Sequence, residues 1–182
     1  YIASIGQGME NFTPLQMANY IATLANGGTR YKLHLVDNIK DFKGKLISQT
    51  KPEVLDKADI SAQTRNLVMQ GMNNVTGAGG NTDGTAAAAL GNFPIPTGGK
   101  TGTAEFNTSD IQNKVGRGDY GWYVGYAPAA SPKIAIAVVI FDGGYGSDAA
   151  NVAKGMYEGY FKNDPRMAGY KDTFDTTLKP IK

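Results

Sequence analysis

The chain has 182 residues, 41% hydrophobic and 19% charged, which suits one folded domain with a hydrophobic core rather than a disordered segment. Its net charge of +2, with no sustained basic run, excludes the concentrated positive footprint of a nucleic-acid binder. There is no Cys and one His, so disulfides and thiolate metal sites are excluded, and neither a His-based metal cluster nor a Ser-His-Asp triad is expected within the chain.

The first eight residues, ending Ile5-Gly6-Gln7-Gly8, form a glycine-punctuated loop. Thr13-Pro14-Leu15-Gln16 is a strong helix start, with Thr13 as N-cap and Pro14 at the first helical position. Leu15, Ala18, Ile21, Ala22 and Ala25 recur at helical spacing as a small-residue buried face, and Asn26-Gly27-Gly28 stops the helix. A strand is expected over Tyr31 to Val36, with His34 as an ordinary strand residue. Residues 33–49 read as a β-hairpin turning near Lys43-Gly44, with Leu33, Leu35, Ile39, Leu46 and Ile47 as its apolar positions. Lys40, Lys43 and Lys45 are interrupted by Asp41 and Gly44 and read as a solvated hairpin. A helix over Ser61 to Asn74 is expected to turn Leu67, Val68 and Met72 inward.

Gly77 to Gly84 is a loop, and Thr85 to Leu90 is a short Ala-rich turn. Strands follow near residues 97–105, 120–127 and 133–141, the last two joined by a turn from Pro128 to Pro132. Residues 106–119 read as a polar, flexible loop. A helix over Asp148 to Phe161 is expected to carry Val152, Met156, Tyr157 and Tyr160 on one side, and no periodicity is visible after Asn163. Three closely spaced apolar strands with helices around them predict an α+β fold, an antiparallel sheet flanked by helices. The longest apolar run, Ile134 to Phe141, is too short to cross a bilayer.

The richest chemistry sits in Gly98-Gly99-Lys100-Thr101-Gly102-Thr103. On a strand, Thr101 and Thr103 share a face, and Gly102 lets another chain approach the backbone closely. A cation with two hydroxyls can hold a carboxylate, while free backbone groups could pair with an extended peptide along the strand edge. Lys-Thr-Gly alone, a tripeptide common by chance, reads rather as a glycine-rich surface strand with a solvated Lys.

Its neighbours decide the matter. Ile5-Gly6-Gln7-Gly8, Thr13-Pro14-Leu15-Gln16-Met17-Ala18 with Ala25-Asn26-Gly27-Gly28, Gly99-Lys100-Thr101-Gly102-Thr103-Ala104-Glu105 and Trp122-Tyr123-Val124-Gly125-Tyr126-Ala127-Pro128 occur in one order. In that order they resemble the transpeptidase domain of class B penicillin-binding proteins along most of the chain, and K-T-G is a known element of such enzymes. The resemblance implies a serine β-lactamase/penicillin-binding-protein transpeptidase-like fold, incomplete here. It also implies a peptidoglycan D,D-transpeptidase that cross-links stem peptides by serine acyl transfer and is acylated by β-lactams. Lys100, Thr101, Gly102 and Thr103 would bind the substrate. Lys100 and Thr103 would act in catalysis, Lys100 through its field at the nucleophile and Thr103 through its N–H as one oxyanion donor. No metal or organic cofactor is implied. The parent would be membrane-anchored and work at the extracytoplasmic face of the bacterial cell membrane.

The departure from the family pattern is the missing nucleophile. The S-x-x-K and S-x-N motifs belong upstream of the glycine loop, and neither precedes Ile5. Residues 1–182 are therefore expected to be the C-terminal portion of one transpeptidase domain, inactive when isolated, with an upstream part of the same protein as partner. Ser48-Gln49-Thr50-Lys51 is a decoy, because Lys51 precedes Pro52 and the motif needs Ser and Lys stacked one helical turn apart. Asp37 with Asp41, and Asp142 with Asp148, could be proposed as carboxylate pairs, but both fall in or beside turns, where Asp serves the backbone. Of Tyr120, Trp122, Tyr123 and Tyr126, most are expected in the core and one or two in the cleft. A β-lactam-binding sensor or non-catalytic scaffold is the alternative reading. A β-lactamase is disfavoured by the pattern from Ile5 to Ala18.

Overall fold

Thr13 starts a helix because its hydroxyl satisfies a backbone N–H that has no partner within the helix. Thr13 Oγ1 accepts from the Gln16 N–H at 3.2 Å, and Gln16 Oε1 accepts from the Thr13 N–H at 2.8 Å, a reciprocal capping box that opens α1 over Pro14–Ala25. The computed structural model showing this describes residues 6–8, 11–105, 114 and 116–171. Ile5 and most of the polar segment 106–119 lie outside the described residues. Leu15, expected on the buried face, is exposed. The buried positions of α1 gather near its C-terminus, at Ile21, Thr23, Leu24 and Ala25, where the helix meets the sheet.

Two small ribbons follow. β1, Thr29–Tyr31, pairs antiparallel with β4, Val54–Lys57. β2, Asn38–Lys40, pairs with β3, Leu46–Gln49, across a turn in which Gly44 takes φ +83° and Asp41 Oδ1 accepts the Lys43 and Lys45 N–H groups, each at 2.9 Å. The hairpin is thus shorter than the sequence suggests. Leu33, Leu35 and His34 lie in irregular, exposed chain, because the strand that begins at Thr29 ends where its short partner ends. β4 escapes the sequence reading, since Val-Leu-Asp-Lys has no apolar alternation.

Ser61 caps α2, Ala62–Thr76, and Gly77 ends it at φ +85°. Met69 and Met72 are buried, but Leu67 and Val68 are exposed, at 61% and 43%, contrary to expectation. The run Leu67-Val68-Met69 does not reveal which face turns inward. Arg65 settles it by donating Nε to the Leu24 carbonyl at 3.0 Å, with a second bond to Ala25, so that the open end of α1 is capped. Met69 and Met72 stand four and seven residues after Arg65 and share its face.

After the single turn α3, Ala87–Leu90, the main sheet forms from β5, Gly98–Ala104, β6, Tyr120–Ala127, and β7, Ile134–Ile140. It is antiparallel in the order β5-β6-β7. α1 and α2 cover one face, with Ile21, Leu24, Met69 and Met72 against Val124 and Tyr126. α4, Gly146–Phe161, covers the other with α3. Only Tyr157 of the four residues expected inward on α4 is buried. Val152, Met156 and Tyr160 are exposed, and Ala149, Ala150, Ala153 and Phe161 make the contact. Three alanines let the helix lie close to the sheet, an advantage that large side chains would forfeit. A 3-10 turn, Pro165–Met167, capped by Asp164, follows α4. Helices on both faces of an antiparallel sheet give the expected α+β architecture.

Candidate active site

Strand alternation distributes the side chains of β5 between two faces. Lys100 pairs with Val124 and Gly102 with Trp122, on the face of α1 and α2; Thr101 pairs with Tyr123 and Thr103 with Gly121, on the face of α4. The two hydroxyls therefore share a face, as the spacing requires, while the ammonium group stands on the opposite one. A ligand meeting all three must lie along the edge of β5. That edge is open, since β5 pairs only with β6 among the described residues.

A cavity of about 550 Å³ follows this edge. All residues from Lys100 to Ala104 line it, together with Gly6 and Gln7 of the glycine loop, Phe12 and Met17 at the start of α1, and Trp122 and Val124 of β6. Of the β6 aromatics, Tyr123 and Tyr126 are core residues on opposite faces of the sheet, Trp122 faces the cavity, and Tyr120 is half-buried against Phe141. A slightly larger hollow, about 580 Å³, lies between α1 and the β1–β4 ribbon. Its lining is largely apolar, and its charged residues, Arg30 and Asp56, pair with each other. The chemistry gathers in the first cavity.

Each polar side chain of β5 from Lys100 to Thr103 already has a local partner. Lys100 is exposed and donates Nζ to the Thr101 carbonyl at 2.7 Å. Thr101 Oγ1 lies 2.6 Å from Thr85 Oγ1. Thr103 Oγ1 accepts the Gly146 N–H, at the start of α4, at 3.3 Å. Thr85 and Gly146 escape sequence reasoning, because neither lies in a recognisable motif and both reach β5 only through the fold.

Beneath the strand the environment is apolar. Burial pushes the Tyr123 phenol far above its ordinary range and the Tyr126 phenol up to about 12, so both remain neutral. Tyr126 donates to Asn73 Oδ1 at 2.9 Å.

The rival sites have structural roles. Ser48 is in β3 opposite Ile39, so it cannot stack one helical turn from Lys51. Asp41 caps its turn, and Asp142 accepts the Gly118 N–H at 3.0 Å beside Arg117. No group of three or more His, Cys, Asp or Glu residues able to hold a metal ion occurs among the described residues. No described helix is long and apolar enough to cross a membrane.

The Lys-Thr-Gly element on this sheet edge points to the penicillin-binding-protein family, in which K-T-G occurs. Comparison with known proteins bears this out: residues 1–158 match the family described as penicillin binding protein transpeptidase domain, and the chain belongs to that family. Its relatives are class B penicillin-binding proteins. It is 38% identical over 144 residues to penicillin-binding protein 2A of Bacillus subtilis, covering 75% of this chain and 19% of that protein. It is 34% identical over 173 residues to penicillin-binding protein 2B of Streptococcus pneumoniae, covering 88% and 24%. The chain thus spans about a fifth to a quarter of these relatives. Among solved structures, the imipenem acyl-enzyme complex of penicillin-binding protein A from Mycobacterium tuberculosis superposes with a TM-score of 0.70 at 29% identity, over 88% of this chain and 33% of that one. The D,D-transpeptidase domain of a peptidoglycan glycosyltransferase from Eggerthella lenta gives 0.65 at 30%, over 82% and 32%.

Proposed function

We propose that this chain is the C-terminal portion of a peptidoglycan D,D-transpeptidase domain, and that it supplies the substrate-carboxylate and oxyanion strand to a nucleophilic Ser carried upstream in the same protein. The observation that carries the reading is the open edge of β5, with Lys100, Thr101 and Thr103 along one cavity. A stem peptide would add beside this edge as an extended strand, its terminal carboxylate held by the Lys100 ammonium and the threonine hydroxyls.

The Ser oxygen attacks the carbonyl between the two terminal D-Ala residues. The amide C–N bond breaks, the terminal D-Ala leaves as a protonated amine, and an acyl ester remains. An amine from a second stem peptide then attacks the ester, forming the cross-link and returning the proton to Ser. The Thr103 N–H and the N–H of the nucleophile stabilise the oxyanion of both steps. Loss of one such donor typically raises the barrier by about 3–4 kcal/mol. A β-lactam enters by the same route, and its opened ring remains attached as the acyl group. The imipenem acyl-enzyme of the Mycobacterium tuberculosis protein is the kindred chemistry in a relative. The parent would be tethered to the cytoplasmic membrane with this domain on its outer side.

The test is mass spectrometry after incubation with a fluorescent penicillin. The whole protein acquires the adduct on an upstream Ser, and this chain alone acquires none. In the whole protein, Lys100→Ala slows acylation about tenfold or more, the scale of a lost charge-assisted hydrogen bond, with the fold unchanged. An adduct on any Ser of this chain, or an unchanged rate in Lys100→Ala, overturns the assignment.

A further inference from the structure

We propose that Thr85 is a positioning residue for recognition of the substrate carboxylate, acting through the Thr101 hydroxyl. The proposal rests on the reading of β5 given above. Thr85 Oγ1 and Thr101 Oγ1 are 2.6 Å apart, a short O–H···O contact between residues 16 apart in sequence.

The segment bearing Thr85 is held in place on both sides. The Ala86 N–H donates to the Val75 carbonyl in the last turn of α2 at 3.0 Å, and the Ala86 side chain is buried in the core under α4. The Ala87 N–H donates to the Gly84 carbonyl at 2.8 Å. Gly84 presses so closely on α2 that a Cβ there would stand 2.4 Å from the carbonyl oxygens of Asn74 and Val75. Thr85 is therefore presented to β5 from a fixed turn.

The chemistry follows from counting protons. A threonine hydroxyl has one proton to donate and two lone pairs. When Thr101 donates to Thr85, it turns only lone pairs toward the cavity and repels an anion. When Thr85 donates to Thr101, the Thr101 proton is free for a carboxylate, and the donated bond strengthens it as a donor. A carboxylate at the edge of β5 selects the second arrangement. By donating to a lone pair of Thr101 Oγ1, Thr85 leaves the Thr101 proton turned toward the cavity and so favours an acyl donor bearing a carboxylate over a neutral one.

The experiment compares, in the whole protein, second-order acylation by penicillin G and by its methyl ester, which lacks the carboxylate. Thr85→Val removes the hydroxyl at nearly constant shape, and Thr85→Ser restores it. Thr85→Val should slow penicillin G by about three- to tenfold, leave the methyl ester rate unchanged and be rescued by Thr85→Ser. In a Thr101→Val background it should cost nothing further. Equal slowing with both compounds marks a general structural role and overturns the proposal. So does a full-speed Thr85→Val, or a loss that simply adds to that of Thr101→Val. Absence of acylation in the unmodified protein overturns the reading of β5 itself, and this proposal with it.

Discussion

The phenol of Tyr123 lies directly against Gly99, where a Cβ would stand 2.3 Å from the hydroxyl oxygen and 2.5 Å from Cζ. Tyr123 is fully buried on β6, and its ring passes across Gly125 of its own strand to reach β5. The glycine immediately before Lys100 is thus a requirement of packing on the α4 face of the sheet. Gly98 meets Tyr126 in the same way on the other face, with a would-be Cβ 2.4 Å from its hydroxyl oxygen. The strand is clamped from both sides just before Lys100.

Gly99→Ala should therefore destabilise the chain by about 1–3 kcal/mol, the usual cost of overfilling a close-packed core. Denaturant unfolding measures it, with the slope unchanged and the midpoint lowered. A midpoint equal to that of the unmodified chain would show that Tyr123 moves aside freely.

Much of this was legible in the sequence, and the pattern of failures is informative. Helix starts at Thr13 and Ser61 could be read because capping is local chemistry within four residues. β6 and β7 could be read because their apolar runs lie between clear turns. The inward face of α2 could not, since Arg65 chooses it by bonding to Leu24 and Ala25, about 40 residues away. The face of α4 was misread because alanines carry little hydrophobic signal, although they allow the closest approach. At the site, the spacing of Thr101 and Thr103 correctly put both hydroxyls on one face. The same alternation puts Lys100 on the other face, which leaves the strand edge as their meeting place. Thr85 and Gly146 were invisible, because no local pattern links them to β5.

Alkaline pH should weaken the fold through its buried phenols. The Tyr126 phenol is raised from 10.0 to about 12, chiefly by burial, partly opposed by the nearby Arg65 cation. Burial also raises Tyr123 and Tyr157. The folded chain holds the Tyr126 proton more tightly than the unfolded one. Its contribution is thus complete below pH 10 and lost as pH rises toward 12. Stability should fall across that window, and Tyr126→Phe should make the fall shallower, with Tyr123 and Tyr157 maintaining the remainder. Near neutral pH the same substitution should cost about 1 kcal/mol, from the lost bond to Asn73. Unfolding curves on either side of the window check both parts.

Thr13→Ala should cost about 1 kcal/mol, because it leaves the Gln16 N–H without its cap. The effect should concentrate in the first turn of α1, where hydrogen exchange should quicken, while the buried end near Leu24 keeps its protection. Phe12 and Met17 line the cavity beside Lys100, so fraying there should also slow acylation of the whole protein. Thr13→Ser should restore both properties. Uniform quickening along α1 would show that the cap stabilises the whole helix rather than its entry.

Gly146→Ala tests how closely α4 must approach β5. A Cβ at 146 would stand 2.4 Å from the Gly102 carbonyl oxygen, 2.8 Å from the Gly102 nitrogen and 2.8 Å from the Trp122 carbonyl oxygen. All three are backbone atoms of the sheet, so no side chain can rotate to make room. The start of α4 must withdraw, and its bond from the Gly146 N–H to Thr103 Oγ1 must lengthen from 3.3 Å. Stability should fall by about 1–3 kcal/mol. Acylation in the whole protein should slow as well, because Thr103 loses the partner that orients it. Gly159 provides the control on the same helix, since a Cβ there meets nothing within 4 Å. Gly159→Ala should raise stability by about 0.5–1 kcal/mol through reduced freedom of the unfolded chain, and leave acylation alone. Equal effects from the two substitutions would mean that helix propensity, and not contact with Gly102, governs position 146.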